Sequence, residues 1–311
     1  MVNNLGEAST ADKIRKTSEF YSKLLLVHWR DLIWPFVRYR YEKPIFIIGC
    51  SRSGTTVVYK VLSMAKGLGS LHRESHEFWN SLHPPEENNW ESHRLNAGDL
   101  SERDRVRVAR YFFKYVGMRR FVDKANQNCF RIPYLLELFP DAVFVYVKRD
   151  GRDNINSLIH GWGKPEEFAG WSHNLPCNVL VDNGRYRQWS FFLFPDWRNY
   201  IKSPIEEVCA QQWISANQSV LAFHRRSHPA WIEVYYEDIL SRPLETFREL
   251  FEKLEIPFAE NLKRHCNSLL DNPYNAFSPP RLNKWKDENK VKIEKIIPLI
   301  KPTMVEMGYV I

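Results

Sequence analysis

The stretch Pro44-Ile45-Phe46-Ile47-Ile48-Gly49-Cys50-Ser51-Arg52-Ser53-Gly54-Thr55-Thr56 decides the fold. Its first half is an apolar run bounded by proline and glycine, which reads as a buried strand. Its second half is a tight turn of small residues, and beyond it Val58, Val61, Leu62 and Ala65 recur at helical spacing. A strand, a glycine-bearing turn and a helix in that order open many nucleotide-binding α/β folds.

The turn also carries chemistry. A nucleoside-triphosphatase phosphate loop requires G-x-x-x-x-G-K-[ST]. Gly49, Gly54 and the hydroxyl residue Thr56 are in place, but Thr55 stands where the lysine belongs, and Arg52 supplies a cation inside the loop. Backbone N–H groups at the helix start still cradle an anion, and the hydroxyls of Ser53, Thr55 and Thr56 add donors. Without the lysine that reaches β- and γ-phosphates, the loop suits a smaller anion, and a 5′-phosphosulfate meets that description. A purely structural turn of the same composition is the plainer alternative.

Outward from this stretch, strands alternate with helices. Residues 142–147 form a second continuous apolar strand, of the kind found in parallel sheets covered on both faces. Residues 121–124 and 231–235 read as shorter strands. Helices are expected over residues 101–116, 132–139, 154–160, 208–224, 243–254 and 293–307, the first of these starting at Ser101 and Glu102. An N-terminal helix is expected to follow a loose segment of about 20 residues and to end before Pro35 or Tyr41. The alternation predicts an α/β fold, a three-layer sandwich like that of P-loop nucleoside triphosphatases, with a central parallel sheet flanked by helices. Residues 1–43 are a helical extension and 44–311 a single domain. Within it, residues 161–200 lack periodicity and hold Trp162, Trp171, Trp189, Phe191, Phe192, Phe194 and Trp197. This is a long excursion off the sheet, whose rings either shape a binding site or fill core.

A second anion site is suggested where the strand of residues 142–147 ends. Arg149 stands at that end and Ser157 lies eight residues on, inside the next helix. Open α/β sheets bind ligands at the carboxyl ends of their strands, and an Arg fork with a hydroxyl suits a phosphate. Alternatively, Arg149 pairs with Asp150 or Asp153 at the surface.

Composition narrows the class. The 311 residues are 44% hydrophobic and 26% charged, with a formal net charge of +7. That balance suits an anionic small ligand or a membrane surface. Basic residues are interspersed with acidic ones, which gives no reason to expect a nucleic-acid partner. Five cysteines without a CxxC pair, and no secretory pattern at the start, lead to the expectation of reduced thiols in a cytoplasmic protein. Residues 23–41 combine apolar, aromatic and basic side chains, and they are a candidate peripheral membrane contact as well as a candidate packed helix.

These motifs resemble the PAPS-dependent sulfotransferases (PAPS is 3′-phosphoadenosine-5′-phosphosulfate). Ser51-Arg52-Ser53-Gly54-Thr55-Thr56 is similar to their 5′-phosphosulfate loop, and Arg149 with Ser157 to their 3′-phosphate motif. The stretch Leu138-Phe139-Pro140-Asp141-Ala142 through Arg149-Asp150-Gly151-Arg152 to Ser157-Leu158-Ile159 is especially similar to the tyrosylprotein sulfotransferases and their bacterial relatives. Tyr235-Tyr236-Glu237-Asp238-Ile239-Leu240, Lys284-Trp285 and Met307-Gly308-Tyr309 add weaker similarity, so the resemblance spans roughly residues 44–309.

The resemblance implies PAPS as co-substrate, no metal, and transfer to the hydroxyl of an acceptor such as a phenol, sugar, lipid or peptidyl tyrosine. It implies Glu74 as the base, within Arg73-Glu74-Ser75-His76-Glu77-Phe78, with Glu77 in reserve. It makes Lys124 a leaving-group cation beside Arg52, and Lys284 a nucleotide-phosphate lysine with Ser268 as a matching upstream serine. The tyrosylprotein type carries an arginine where this chain has Gly161. His72 and His76, four apart, form a weak alternative metal pair. Two rival classes stay open: a P-loop kinase or nucleoside triphosphatase, against which the missing lysine speaks, and a non-catalytic membrane-surface binding module.

Overall fold

Four parallel strands carry the fold: β1 (Ile45–Ile48), β2 (Val122–Lys124), β3 (Val143–Lys148) and β4 (Ala230–Tyr235), in the order β2-β1-β3-β4. The computed structural model describes residues 10–224, 230–271, 273–274 and 277–310; for 10–17, 19 and 20 it describes the backbone alone. β1 pairs with β3 in register Phe46 to Phe144, and β3 with β4 in register Phe144 to Trp231.

Successive strand residues point to opposite faces, and here both faces are buried. Ile45, Ile47, Val143, Val145, Val147, Ile232 and Val234 form one core with Val58, Val61 and Leu62 of α2 (Thr55–Ser63) and with Phe247, Leu250 and Phe251 of the helix Pro243–Lys253. Phe46, Ile48, Phe144 and Tyr146 form the other with Phe112, Leu135, Leu158 and Trp213. Those four come from α4 (Glu102–Val116), α5 (Ile132–Leu138), α6 (Gly151–Trp162) and the helix Ile205–His224. This is the expected three-layer arrangement, and burial on both faces explains the continuous apolar runs of β1 and of β3 as far as Val147.

Ser101 caps α4 as anticipated: its Oγ accepts from Asp104 N, and the Asp104 carboxylate accepts from Ser101 N, a reciprocal capping box. A short helix, α3 (His76–Leu82), was not anticipated, because its seven residues offer too little periodicity.

The N-terminal helix α1 (Thr10–Val37) starts earlier than expected and runs through Pro35, which falls in the last turn, where few backbone bonds are left to lose. It docks on α4: Asp31 bridges to Arg110 at 2.8 Å and Lys114 at 3.2 Å, Trp34 lies 5.5 Å from Phe113, and Tyr41 Oη donates to Gly117 O at 2.6 Å.

Residues 161–200 have both of the roles left open for their rings. Trp162, Trp189, Phe192, Phe194 and Trp197 are buried in the same core as Phe144, so most of the segment is not an excursion at all. Edge-to-face and tilted ring packing replaces periodicity there, with Trp189 5.3 Å from Trp162 and 4.9 Å from Trp197. Phe168, Trp171 and Phe191 pack on this core and also line the cavity described below.

Phe144 sits between Phe46 (5.8 Å) and Trp231 (5.1 Å), at the centre of the sheet. Phe144→Ala is expected to cost about 3–5 kcal/mol, read from the urea unfolding midpoint; a loss below about 1 kcal/mol would contradict this account of the core.

Candidate active site

One cavity of about 620 Å³ opens at the carboxyl ends of β1 and β3. Its wall includes Ser51, Arg52, Gly54, Thr55 and Thr56, together with Glu74, Lys124, Arg149, Ser157 and Lys284. Most of the sequence-predicted residues therefore converge; Ser53, Glu77 and Ser268 do not. Ser53 does not line the cavity; it is 1% exposed, and its Oγ sits 3.0 Å from where a Cβ on Gly49 would stand, so the hydroxyl turns beneath the loop.

The loop's backbone explains its composition. Gly54 has φ +100°, and a Cβ there would lie 2.4 Å from the Tyr236 ring. Gly49 also has positive φ, and its added Cβ would meet Val147 O at 2.6 Å. Both positions are therefore closed to other residues. Gly54 caps α2 with no side-chain hydrogen bond, and the first turn carries no acidic residue. The helix thus presents its N–H groups and positive end to the cavity. Asn154 Nδ2 holds the loop by donating to Ser51 O at 2.8 Å.

The two anion sites are joined rather than separate. Arg52 Nε donates to Ser157 Oγ at 3.3 Å, and Arg149 Nη1 donates to Arg52 O at 2.7 Å. Arg149 makes neither of the surface pairs considered from sequence. It is 8% exposed and stacks on Tyr236 at 4.3 Å, while Asp150 binds Arg152 and Asp153 accepts from the backbone of Asn283 and Trp285. Burial, and then the charge of Arg149, lower the Arg52 guanidinium to about 10 against the pull of Tyr236, Glu167 and Glu74. Arg52 also lies 4.1 Å from Phe277 and 5.5 Å from Phe168. The buried Ser51 Oγ and Arg149 Nε have no hydrogen-bond partner. Buried donors in that state, beside two like charges, fit an anionic ligand.

Glu74 stands in the same cavity. Its Oε1 accepts from Lys124 Nζ at 2.7 Å and from Thr56 Oγ1 at 3.1 Å. Burial raises its pKa, but Lys124, His76 and Thr56 together outweigh burial and hold the carboxyl below its ordinary value. Glu77 is exposed and does not line the cavity, so the reserve assignment loses its geometric basis. Lys124 is 3% exposed and also donates to Asn126 Oδ1 at 2.6 Å. Its immediate partner is Glu74.

Lys284 reaches the cavity because Asp153 of α6 pins the backbone on either side of it, through Asn283 N at 2.6 Å and Trp285 N at 3.2 Å. Its Nζ donates to Ser278 Oγ. Ser268 is exposed, bonds back to Arg264 O and His265 O, and does not line the cavity, whereas Ser278 does. Gly161 faces Phe191, whose ring would lie 2.5 Å from an added Cβ. No group of three or more metal-ligating side chains occurs among the described residues.

Behind Glu74 and Lys124 lies a network that sequence reading missed. Asp123, fully buried, accepts from Ser75 Oγ, from Trp79 Nε1 at 2.9 Å and from Asn128 Nδ2 at 3.2 Å. Ser75 N donates to Lys124 O at 3.2 Å, tying the Glu74 loop to β2. Burial raises the Asp123 pKa, and the bonds from Ser75 and Trp79 only partly offset it.

Comparison with known proteins finds sulfotransferases. The profile of the sulfotransferase family matches residues 44–175. The chain is 24% identical over 242 residues to a protein-tyrosine sulfotransferase of Drosophila melanogaster, covering 73% of this chain and 41% of that protein. It is 21% identical over 304 residues to protein-tyrosine sulfotransferase 1 of Danio rerio, covering 90% and 76%. Sulfotransferase STF9 from Mycobacterium avium shares the fold, with a TM-score of 0.57 at 17% identity over 90% of this chain and 81% of that one. Residues 44–175 thus match the sulfotransferase family, and the chain shares the fold of sulfotransferase STF9.

Asp123→Ala is expected to strand the Trp79 and Asn128 donors in the core and to cost about 2 kcal/mol or more, measured by thermal or urea unfolding. An unchanged midpoint would mean that the network carries no such weight.

Proposed function

We propose that the chain transfers the sulfonate of PAPS to the hydroxyl of an acceptor. The observation that carries this reading is the meeting of Arg52, Ser157 and Arg149 in one cavity with the Glu74–Lys124 pair. When bound, PAPS supplies an activated sulfonate on a phosphate leaving group.

In this reading Ser51, Arg52, Thr55, Thr56 and the N–H groups around Gly54 hold the 5′ end. Arg149 and Ser157, with Lys284, hold the 3′-phosphate. Glu74 takes the proton of the acceptor hydroxyl. Its low pKa keeps it ionised at neutral pH, ready to act as base. Lys124 keeps Glu74 ionised and, with Arg52, neutralises charge on the departing phosphate. Phe168, Trp171 and Phe191 support an acceptor side able to receive a ring or a sugar face. The proposal includes a cytoplasmic setting, in keeping with Cys50, Cys129, Cys209 and Cys266 buried as thiols.

A kinase-like reading lacks support at Thr55, where a triphosphate-binding lysine would be required. A binding module without catalysis leaves unexplained why a buried Glu74–Lys124 pair shares the cavity with the anion cradle.

Two outcomes follow. Glu74→Gln should lower kcat by roughly 10²–10⁴-fold while leaving PAP affinity near that of the parent, measured by turnover of labelled PAPS and by calorimetry; near-native turnover would remove Glu74 as base. The acid limb of the kcat profile should lie below the ordinary glutamate range, because the ionised form is the active one and its pKa is lowered. A limb near neutrality would contradict that.

A further inference from the structure

The docking of α1 on α4 determines which of its faces points outward. Between Lys23 and Arg38 only Arg30 and Asp31 carry a formal charge. Both turn to the domain: Asp31 bridges Arg110 and Lys114, and the Arg30 guanidinium lies against Gly117. Trp34, also on the packed side, is 8% exposed. The opposite face shows Leu25 (70% exposed), Trp29 (56%), Leu32 (74%) and Phe36 (90%). Their spacing of four, three and four residues sets them in a single stripe along the helix. The stripe spans about 16 Å at the α-helical rise, and no described helix is long and apolar enough to cross a membrane.

Exposed arginines follow this stripe: Arg38 and Arg40 lie just past its last turn, whereas Lys23, seven residues before Arg30, falls on the packed side. An uncharged face of Leu, Trp and Phe with arginines at one end is complementary to an anionic lipid surface, into which the apolar side chains insert while Arg meets headgroups. A parallel second copy fits less well, since that pairing sets Arg38 and Arg40 on their like.

We propose that α1 docks this chain on an anionic membrane surface, lying in the plane of the interface through Leu25, Trp29, Leu32 and Phe36. The inference stands apart from the sulfonate-transfer reading, since none of these residues touches the cavity.

The test is co-sedimentation of the full chain with vesicles of phosphatidylcholine alone and of equal parts phosphatidylcholine and phosphatidylserine, with the oligomeric state measured in parallel. The chain should sediment with the mixed vesicles and weakly with the neutral ones, and added salt should release it. Leu25→Ser, Trp29→Ser, Leu32→Ser and Phe36→Ser combined should weaken vesicle binding at least about tenfold, with the melting temperature and turnover unchanged. Arg38→Glu with Arg40→Glu should weaken it while the stripe is intact. The proposal is overturned if the parent ignores anionic vesicles, if the stripe variant binds as tightly as the parent, or if the parent is a dimer that the stripe variant converts to monomer without any vesicle binding.

Discussion

Two guanidinium groups brought side by side at the ends of adjacent parallel strands repel each other, and much of the surrounding chain serves to keep them there. Arg149 is clamped between Tyr236 and the backbone oxygen of Arg52; Arg52 is held by Ser157 and lies over Phe277. Burial first, and then repulsion from Arg149, lower the Arg52 pKa. A doubly charged anion would relieve that repulsion, and the helix end at Gly54 adds its own positive potential in the same place. The fold supports the convergence, because β1 and β3 are neighbours and their loops rise on the same edge of the sheet.

Elsewhere in the same cavity the charges are already balanced. Glu74 and Lys124 neutralise one another, and both are tied to the core through Asp123 and Ser75. A carboxylate held ionised beside a nearly buried lysine can accept a proton, while its partner supplies positive charge to a leaving phosphate. An anion cradle and an acid–base pair sharing one cavity is the feature that favours group transfer over simple binding.

Much of this was legible in the residues. The apolar run before Gly49 gave β1, the one after Asp141 gave β3, and the missing lysine at Thr55 pointed away from triphosphates. Lys124 and Glu74 were reached only through family resemblance, since nothing local distinguishes them from surface residues. Three things stayed hidden for physical reasons. The fusion of the two anion sites depends on a hydrogen bond between residues 105 positions apart. The Asp123 network joins residues from three separate segments. The aromatic stretch 161–200 folds into the core by ring packing, which leaves no periodic signature. Ser53 and Ser268 looked right by type and failed by direction: a side chain's orientation in a turn, or at a helix end, is not written in residue identity.

The central claim is that Arg52, Arg149 and Ser157 act on one bisphosphorylated nucleotide. Calorimetry with PAP, adenosine 5′-monophosphate and ATP with magnesium, on the parent and on Arg149→Met, tests it most directly. PAP should bind the parent at least about tenfold tighter than the monophosphate, and Arg149→Met should erase that advantage. Equal affinity for the two nucleotides, tighter binding of ATP with magnesium, or a PAP affinity indifferent to Arg149 would contradict the account.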